Sequence, residues 1–78
     1  MVVRAFARLR EEIGKDRLIL ELPDGATLEE LLVRVLGRPH GGHVVVAVNN
    51  RLLPSEGLAG VRLRDGDVVD LMPPASGG

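Results

Sequence analysis

The segment that most limits the fold is Thr27-Leu28-Glu29-Glu30 and the apolar series behind it. The Thr27 hydroxyl can accept from the Glu30 amide while the Glu30 carboxylate reaches back to the Thr27 amide, a capping box that starts a helix. Leu28, Leu31, Leu32, Val35 and Leu36 then recur at helical spacing. Gly37 ends the run, and Pro39 prevents its resumption. A helix with one apolar stripe must bury it against a second layer. In a chain of 78 residues, room for one domain, that layer has to come from the flanking segments.

Those segments read as strands. In Val2-Val3-Arg4-Ala5-Phe6-Ala7, alternation sets Val3, Ala5 and Ala7 on one face and Val2, Arg4 and Phe6 on the other. A short helical turn over 8–13 is stopped by Gly14. Arg17 to Leu22 is a second strand with Leu18, Leu20 and Leu22 on one face, close enough to the first to pair as an antiparallel hairpin. Pro23-Asp24-Gly25 is turn chemistry before the helix. After a loop at Pro39-His40-Gly41-Gly42, Val44 to Val48 is a near-continuous β-branched run suited to a buried strand. Asn49-Asn50 turns the chain, since both tolerate left-handed backbone. Arg51-Leu52-Leu53 is a short edge strand stopped by Pro54. Ser55 to Arg64 wraps the core with Leu58, Val61 and Leu63 as anchors, Asp65-Gly66-Asp67 turns, and Val68 to Met72 is the last strand. The order β-β-α-β-β-β predicts an α+β domain over residues 1–72, one main helix on a mixed four- to five-stranded sheet.

Phe6 is the only aromatic residue, so the core must be aliphatic. With no cysteine there is no disulfide framework, no thiolate metal site and no thiol nucleophile. Ten basic and 11 acidic side chains nearly cancel, which gives no electrostatic footprint for nucleic acid or an anionic membrane. No apolar run approaches the roughly 18 residues a membrane span needs. Arg4, Arg8 and Arg10 interrupt any secretory pattern at the N-terminus, so a cytoplasmic protein is expected.

The chemistry-bearing feature is the ending Pro73-Pro74-Ala75-Ser76-Gly77-Gly78, read as a projecting tail. Two prolines stiffen its base toward polyproline II and remove backbone donors. Small residues and two glycines follow, and at full extension the tail reaches about 20 Å. It can thread a narrow channel and carry the Gly78 carboxylate to a buried reaction centre. A carboxylate must be activated before it reacts, most simply by ATP to an acyl-adenylate, from which a sulfur nucleophile can displace AMP and leave a thiocarboxylate. The chain has neither a phosphate-cradling Gly-rich motif nor a thiol, so the activating enzyme and the sulfur donor must be separate proteins.

Four segments in order carry a resemblance. Phe6-Ala7-Arg8-Leu9-Arg10-Glu11-Glu12-Ile13-Gly14 is similar to an F-A-x-x-R-E-x-x-G opening. Ala47-Val48-Asn49 is similar to an A-V-N strand, although Asn50 stands where glycine is common. Leu63-Arg64-Asp65-Gly66-Asp67-Val68-Val69 is similar to L-x-D-G-D-x-V, and Met72 to Gly78 to a P-P-x-S/T-G-G ending. Together they resemble the MoaD-like family, the small subunits of molybdopterin synthase, over essentially the whole chain. The resemblance implies a ubiquitin-like β-grasp fold, with Gly78 adenylated by a MoeB-like E1 adenylyltransferase that uses ATP and then converted to a thiocarboxylate. It implies insertion of Pro73, Pro74, Ala75, Ser76 and Gly77 into a MoaE-like large subunit and sulfur donation to cyclic pyranopterin monophosphate. The small subunit would have no catalytic machinery and no bound cofactor of its own. The same tail chemistry serves sulfur carriers for thiamin, thiolated tRNA or cysteine, and ubiquitin-like protein modifiers. With Lys15 as the only lysine, polymeric chains on the protein itself are not expected.

Phe6, Arg10 and Met72 are the expected partner-binding residues. Phe6 falls on the strand face opposite Val3 and Ala5, where an exposed aromatic makes a plausible anchor. Arg8, Arg10, Arg62 and Arg64 are candidates for steering an acidic partner groove toward the tail. His40 and His43, two glycines apart in a loop, are too few ligands for a metal site. Asp65 and Asp67 read as turn residues, since the rest of a calcium ligand set is missing.

Overall fold

A computed structural model describes residues 1–37, 44–54 and 60–73. The elements are β1 (Val2–Ala5), α1 (Ala7–Ile13), β2 (Arg17–Ile19), α2 (Leu28–Leu36), β3 (Val45–Val48), β4 (Arg51–Leu53) and β5 (Val68–Met72). They build a five-stranded sheet in the order β2-β1-β5-β3-β4. The first and last strands run parallel at its centre, with Val2 beside Val68 and Ala5 beside Leu71. All other pairings are antiparallel.

α2 forms as its pattern predicts. Glu30 N–H donates to Thr27 Oγ1 at 3.2 Å, and Thr27 N–H donates back to Glu30 Oε1 at 3.4 Å. Gly37 closes the helix at φ 79, a left-handed cap that suits a residue without Cβ, and its N–H donates to the Val33 carbonyl. Leu28, Leu31 and Leu32 are fully buried, with Val35 and Leu36 packed at the margin. They meet Val3 and Ala5 of β1, Val46 of β3, and Val69 and Leu71 of β5 on the inner sheet face.

A strap at 61–63 fastens the start of this helix. Leu28 N–H donates to the Val61 carbonyl at 2.8 Å, and Leu63 N–H donates to the Ala26 carbonyl at 2.8 Å. Leu28 N–H is one of the donors that a helix start leaves without a partner inside the helix, so the strap both satisfies it and covers the core with Leu63, which is fully buried. Of the anchors expected here, Val61 and Leu63 pack as read. Leu58 lies outside the described residues, as do His40 and His43.

Two local differences from the sequence reading have simple causes. The second strand stops at Ile19 rather than Leu22, because β1 begins at Val2 and offers no ladder beyond it. A last exchange remains, with Leu20 N–H donating to the Met1 carbonyl at 3.0 Å and the Met1 ammonium donating to the Leu20 carbonyl at 2.9 Å. Ala7 does not continue the inner face of β1. It is exposed at φ 52, where the chain swings out of the sheet into α1, and only Leu9 of that helix is fully buried. The Asn49-Asn50 turn has φ 51 and 69, positive at both central positions, which is the type I′ hairpin geometry. Asn50 thus takes the conformation that glycine would, and Asn49 adds two bonds. Its Nδ2 donates to Asp67 Oδ1, and its Oδ1 accepts from Val68 N–H, both at 3.0 Å.

Replacing Leu31 by alanine is expected to cost about 2–5 kcal/mol, because a fully buried side chain leaves a cavity. Thr27→Ala, which removes only the cap, is expected to cost about 1 kcal/mol. Urea unfolding of the two variants would check this ordering; equal losses would show that the cap does more than close the helix.

Candidate functional site

β1 and β5 end at the same edge of the sheet, which brings Phe6 next to the exit of the tail. Phe6 N–H donates to the Leu71 carbonyl at 3.1 Å, one step beyond the Ala5–Leu71 pair. Met72 pairs with Val45, and Pro73, which has no N–H to continue a ladder, follows half-buried. Pro74, Ala75, Ser76, Gly77 and Gly78 lie outside the described residues.

Paired residues on neighbouring strands point to the same face. The register therefore puts Val2 and Arg4 of β1, Val68, Asp70 and Met72 of β5, Val45 and Ala47 of β3, Ile19 of β2 and Leu52 of β4 on the face away from α2. That face is mostly apolar, and no described element covers it. Ile19 is 71% exposed, Leu52 66% and Phe6 42%. Phe6 is outside the aliphatic core, as its place in the alternation predicts.

One ion pair interrupts this face. Arg4 Nε donates to Asp70 Oδ1 at 2.6 Å and Arg4 Nη2 donates to Asp70 Oδ2 at 2.8 Å, a bidentate fork. The hydrogen bond to Asp70, and then its charge, hold the Arg4 guanidinium above its ordinary pKa. Asp70 is buried while Arg4 keeps its outer part in water. A carboxylate in the middle of Val68-Val69-Asp70-Leu71-Met72 was the sequence signal for this pair, because a charge inside an apolar strand needs a partner. The identity of the partner follows only from the parallel register of β1 and β5.

At the tail edge Arg4, Ala5, Phe6, Ala7, Arg10, Asp16 and Arg17 line an open hollow of about 500 Å³. Arg10 and Phe6 thus line one hollow, with Met72 one strand away. The four candidate steering arginines do not form one group. Arg62 is opposite Thr27, with Nη1 donating to the Gly25 carbonyl at 3.2 Å, and Arg64 precedes the turn that opens β5. Both are at the end of the sheet where β5 begins, away from Pro73. Arg4 and Arg17, paired across β1 and β2, join Arg10 in their place. Asp67 ties the turn before β5 together, since Oδ1 accepts from Asn49 and Oδ2 accepts from Arg64 N–H at 2.8 Å. Among the described residues no helix is long and apolar enough to cross a membrane.

A helix gripped by a mixed five-stranded sheet, with parallel first and last strands and a chain end leaving from the central strand, defines the ubiquitin-like β-grasp class. The ThiS family model matches residues 3–78, nearly the entire sequence, and the chain belongs to that family. It is 38% identical to a molybdopterin synthase sulfur carrier subunit of Chlamydomonas reinhardtii, with 94% of this chain and 92% of that protein covered. Among solved structures it is similar to a putative molybdopterin converting factor subunit 1 of Pyrococcus furiosus, at 32% identity, TM-score 0.74 and 94% coverage of both chains. It is also similar to a chain in the complex of subunits 1 and 2 of the molybdopterin-converting factor of Helicobacter pylori, at 27% identity and TM-score 0.65, covering 99% of this chain and 96% of that one.

Because Phe6 packs outside the core, Phe6→Ala is expected to shift unfolding free energy by about 1 kcal/mol or less. A thermal or urea melt checks this, and collapse of the folded state would return Phe6 to the core.

Proposed function

We propose that this chain is the sulfur carrier subunit of a molybdopterin synthase and that its working group is the carboxyl carbon of Gly78. The observation that carries the reading is the delivery geometry: the central strand β5 ends at Met72 beside an uncovered apolar face, and a short Pro-Pro-containing segment ending in Gly-Gly follows in the sequence. The name of the algal relative and the two-subunit Helicobacter pylori complex support it.

The chemistry runs in two exchanges. An oxygen of the Gly78 carboxylate attacks the α-phosphorus of ATP on a separate E1-like adenylyltransferase, pyrophosphate leaves, and an acyl-adenylate forms. The terminal sulfur of a persulfide on a separate donor then attacks the acyl carbon, and AMP departs with the electron pair of the broken C–O bond. A second thiol attacks the donor-side sulfur of the resulting acyl disulfide, so the S–S bond breaks to give a donor disulfide and the Gly78 thiocarboxylate. The body of this chain contributes position rather than reactivity. Residues 74–78 extend at most about 17 Å from Pro73. The reacting group therefore works inside a partner docked against the edge where Phe6 and Met72 lie. A large synthase subunit there would receive the tail and direct its sulfur to cyclic pyranopterin monophosphate. Phe6, Arg10 and Met72 are the contacts assigned to that partner. A carrier feeding a different sulfur acceptor, such as the thiamin precursor, is the second reading, favoured by the match to the ThiS family model.

Two measurements test the proposal. After incubation with the adenylyltransferase, ATP and a sulfur donor, the intact mass should rise by the difference between sulfur and oxygen, and a chain lacking Gly78 should not support pterin sulfuration. An unchanged mass, or full activity without Gly78, overturns the carrier reading. Phe6→Ala should weaken binding to the large subunit by about tenfold or more while the protein stays folded. Sulfur loading without any affinity for a large synthase subunit would instead select the second reading.

A further inference from the structure

The hollow at the tail edge is lined by three arginines, Arg4, Arg10 and Arg17, against one carboxylate, Asp16. Arg4 already commits Nε–H and one Nη2–H to Asp70. Among the described residues Arg10 and Arg17 have no ion-pair or hydrogen-bond partner on their side chains, and both are exposed. Phe6, 42% exposed, lies in the same hollow. The nearly neutral chain thus gathers an excess of positive charge beside its one exposed aromatic ring and close to where the tail leaves.

We propose that Arg10 and Arg17 form a carboxylate-gripping rim that selects a partner presenting an acidic side chain next to an apolar contact for Phe6. The occupant is an acidic segment of the large synthase subunit, so the inference rests on the reading above and deepens it. Charge complementarity supports that choice. Two unpaired guanidiniums on the rim match carboxylates in a forked geometry. Docking an apolar surface with no counter-charge would instead desolvate them without compensation. Arg4 is unsuited to the same role, because drawing it away would strand the buried Asp70 carboxylate. Arg17 stands on β2 opposite Arg4, and Arg10 follows on α1, so the rim flanks Phe6 from two elements and fixes the orientation in which the tail edge meets the partner.

The test is association kinetics with the large synthase subunit at low and physiological salt. The proteins compared are the full chain, Arg17→Gln, the double variant Arg10→Gln/Arg17→Gln, Phe6→Ala, and Arg64→Gln as a distal control. The double variant should associate roughly tenfold more slowly at low salt, with a flatter salt dependence, and Arg17→Gln should fall between it and the unaltered chain. Arg64→Gln should leave the rate unchanged. All five should share one melting profile to within a few degrees, since the replaced side chains are exposed. A double variant that associates like the unaltered chain at every salt, while Phe6→Ala still weakens the complex, overturns the rim and leaves the subunit reading standing. Complete absence of binding by the unaltered chain overturns both.

Discussion

The parallel pairing of β1 with β5 is the constraint on which the rest of the structure depends. Parallel neighbours cannot be joined by a tight turn, so everything between them has to cross over and return. That crossover contains α2, which covers the inner face, and the hairpin of β3 and β4, which extends the sheet on the far side of β5. The pairing also decides which residues meet where β5 ends. Because the two strands point the same way, Phe6 at the end of one and Pro73 at the end of the other emerge at one edge. An antiparallel arrangement would have sent the tail out beside the N-terminus, away from Phe6 and the arginine hollow.

The core that holds this arrangement is built without aromatic rings. Leu28, Leu31, Leu32, Leu63 and Leu71 fill it, each fully buried, with valines from three strands between them. Burying such side chains gains about 2 kcal/mol each before ordering costs are counted. The sole aromatic, Phe6, stands outside that core, 42% exposed. It is followed by Ala7, a non-glycine residue in left-handed backbone, where the chain leaves the sheet.

What could be read in the sequence was what neighbouring residues decide. The capping box, the glycine stop of α2, the double-asparagine turn and the outward face of Phe6 all rest on spacings of a few residues, and each stands where it was expected. The hollow was only partly legible. Arg10 and Phe6 sit near each other in the chain, but Arg17 joins them only because β2 returns beside β1. Arg4 and Asp70 are 66 positions apart, and nothing local links them. Arg62 and Arg64 looked equivalent to Arg10 by composition, and the direction of β5 alone separates them.

An uncovered apolar sheet face is an aggregation hazard, and the way this one is interrupted explains how the hazard is contained. Both edge strands span three residues, too short to template pairing with another copy, and Arg17 and Arg51 sit on them. The bidentate Arg4–Asp70 pair lies at the middle of the face and splits what would otherwise be a continuous patch from Ile19 to Leu52. Because the pair is satisfied internally, a partner need not supply a counter-charge there and can close over it with apolar groups. Unpaired positive charge lies instead at the rim of the hollow, on Arg10 and Arg17. The face is thus apolar over most of its area, neutral at its centre and positively charged at the edge where β5 ends.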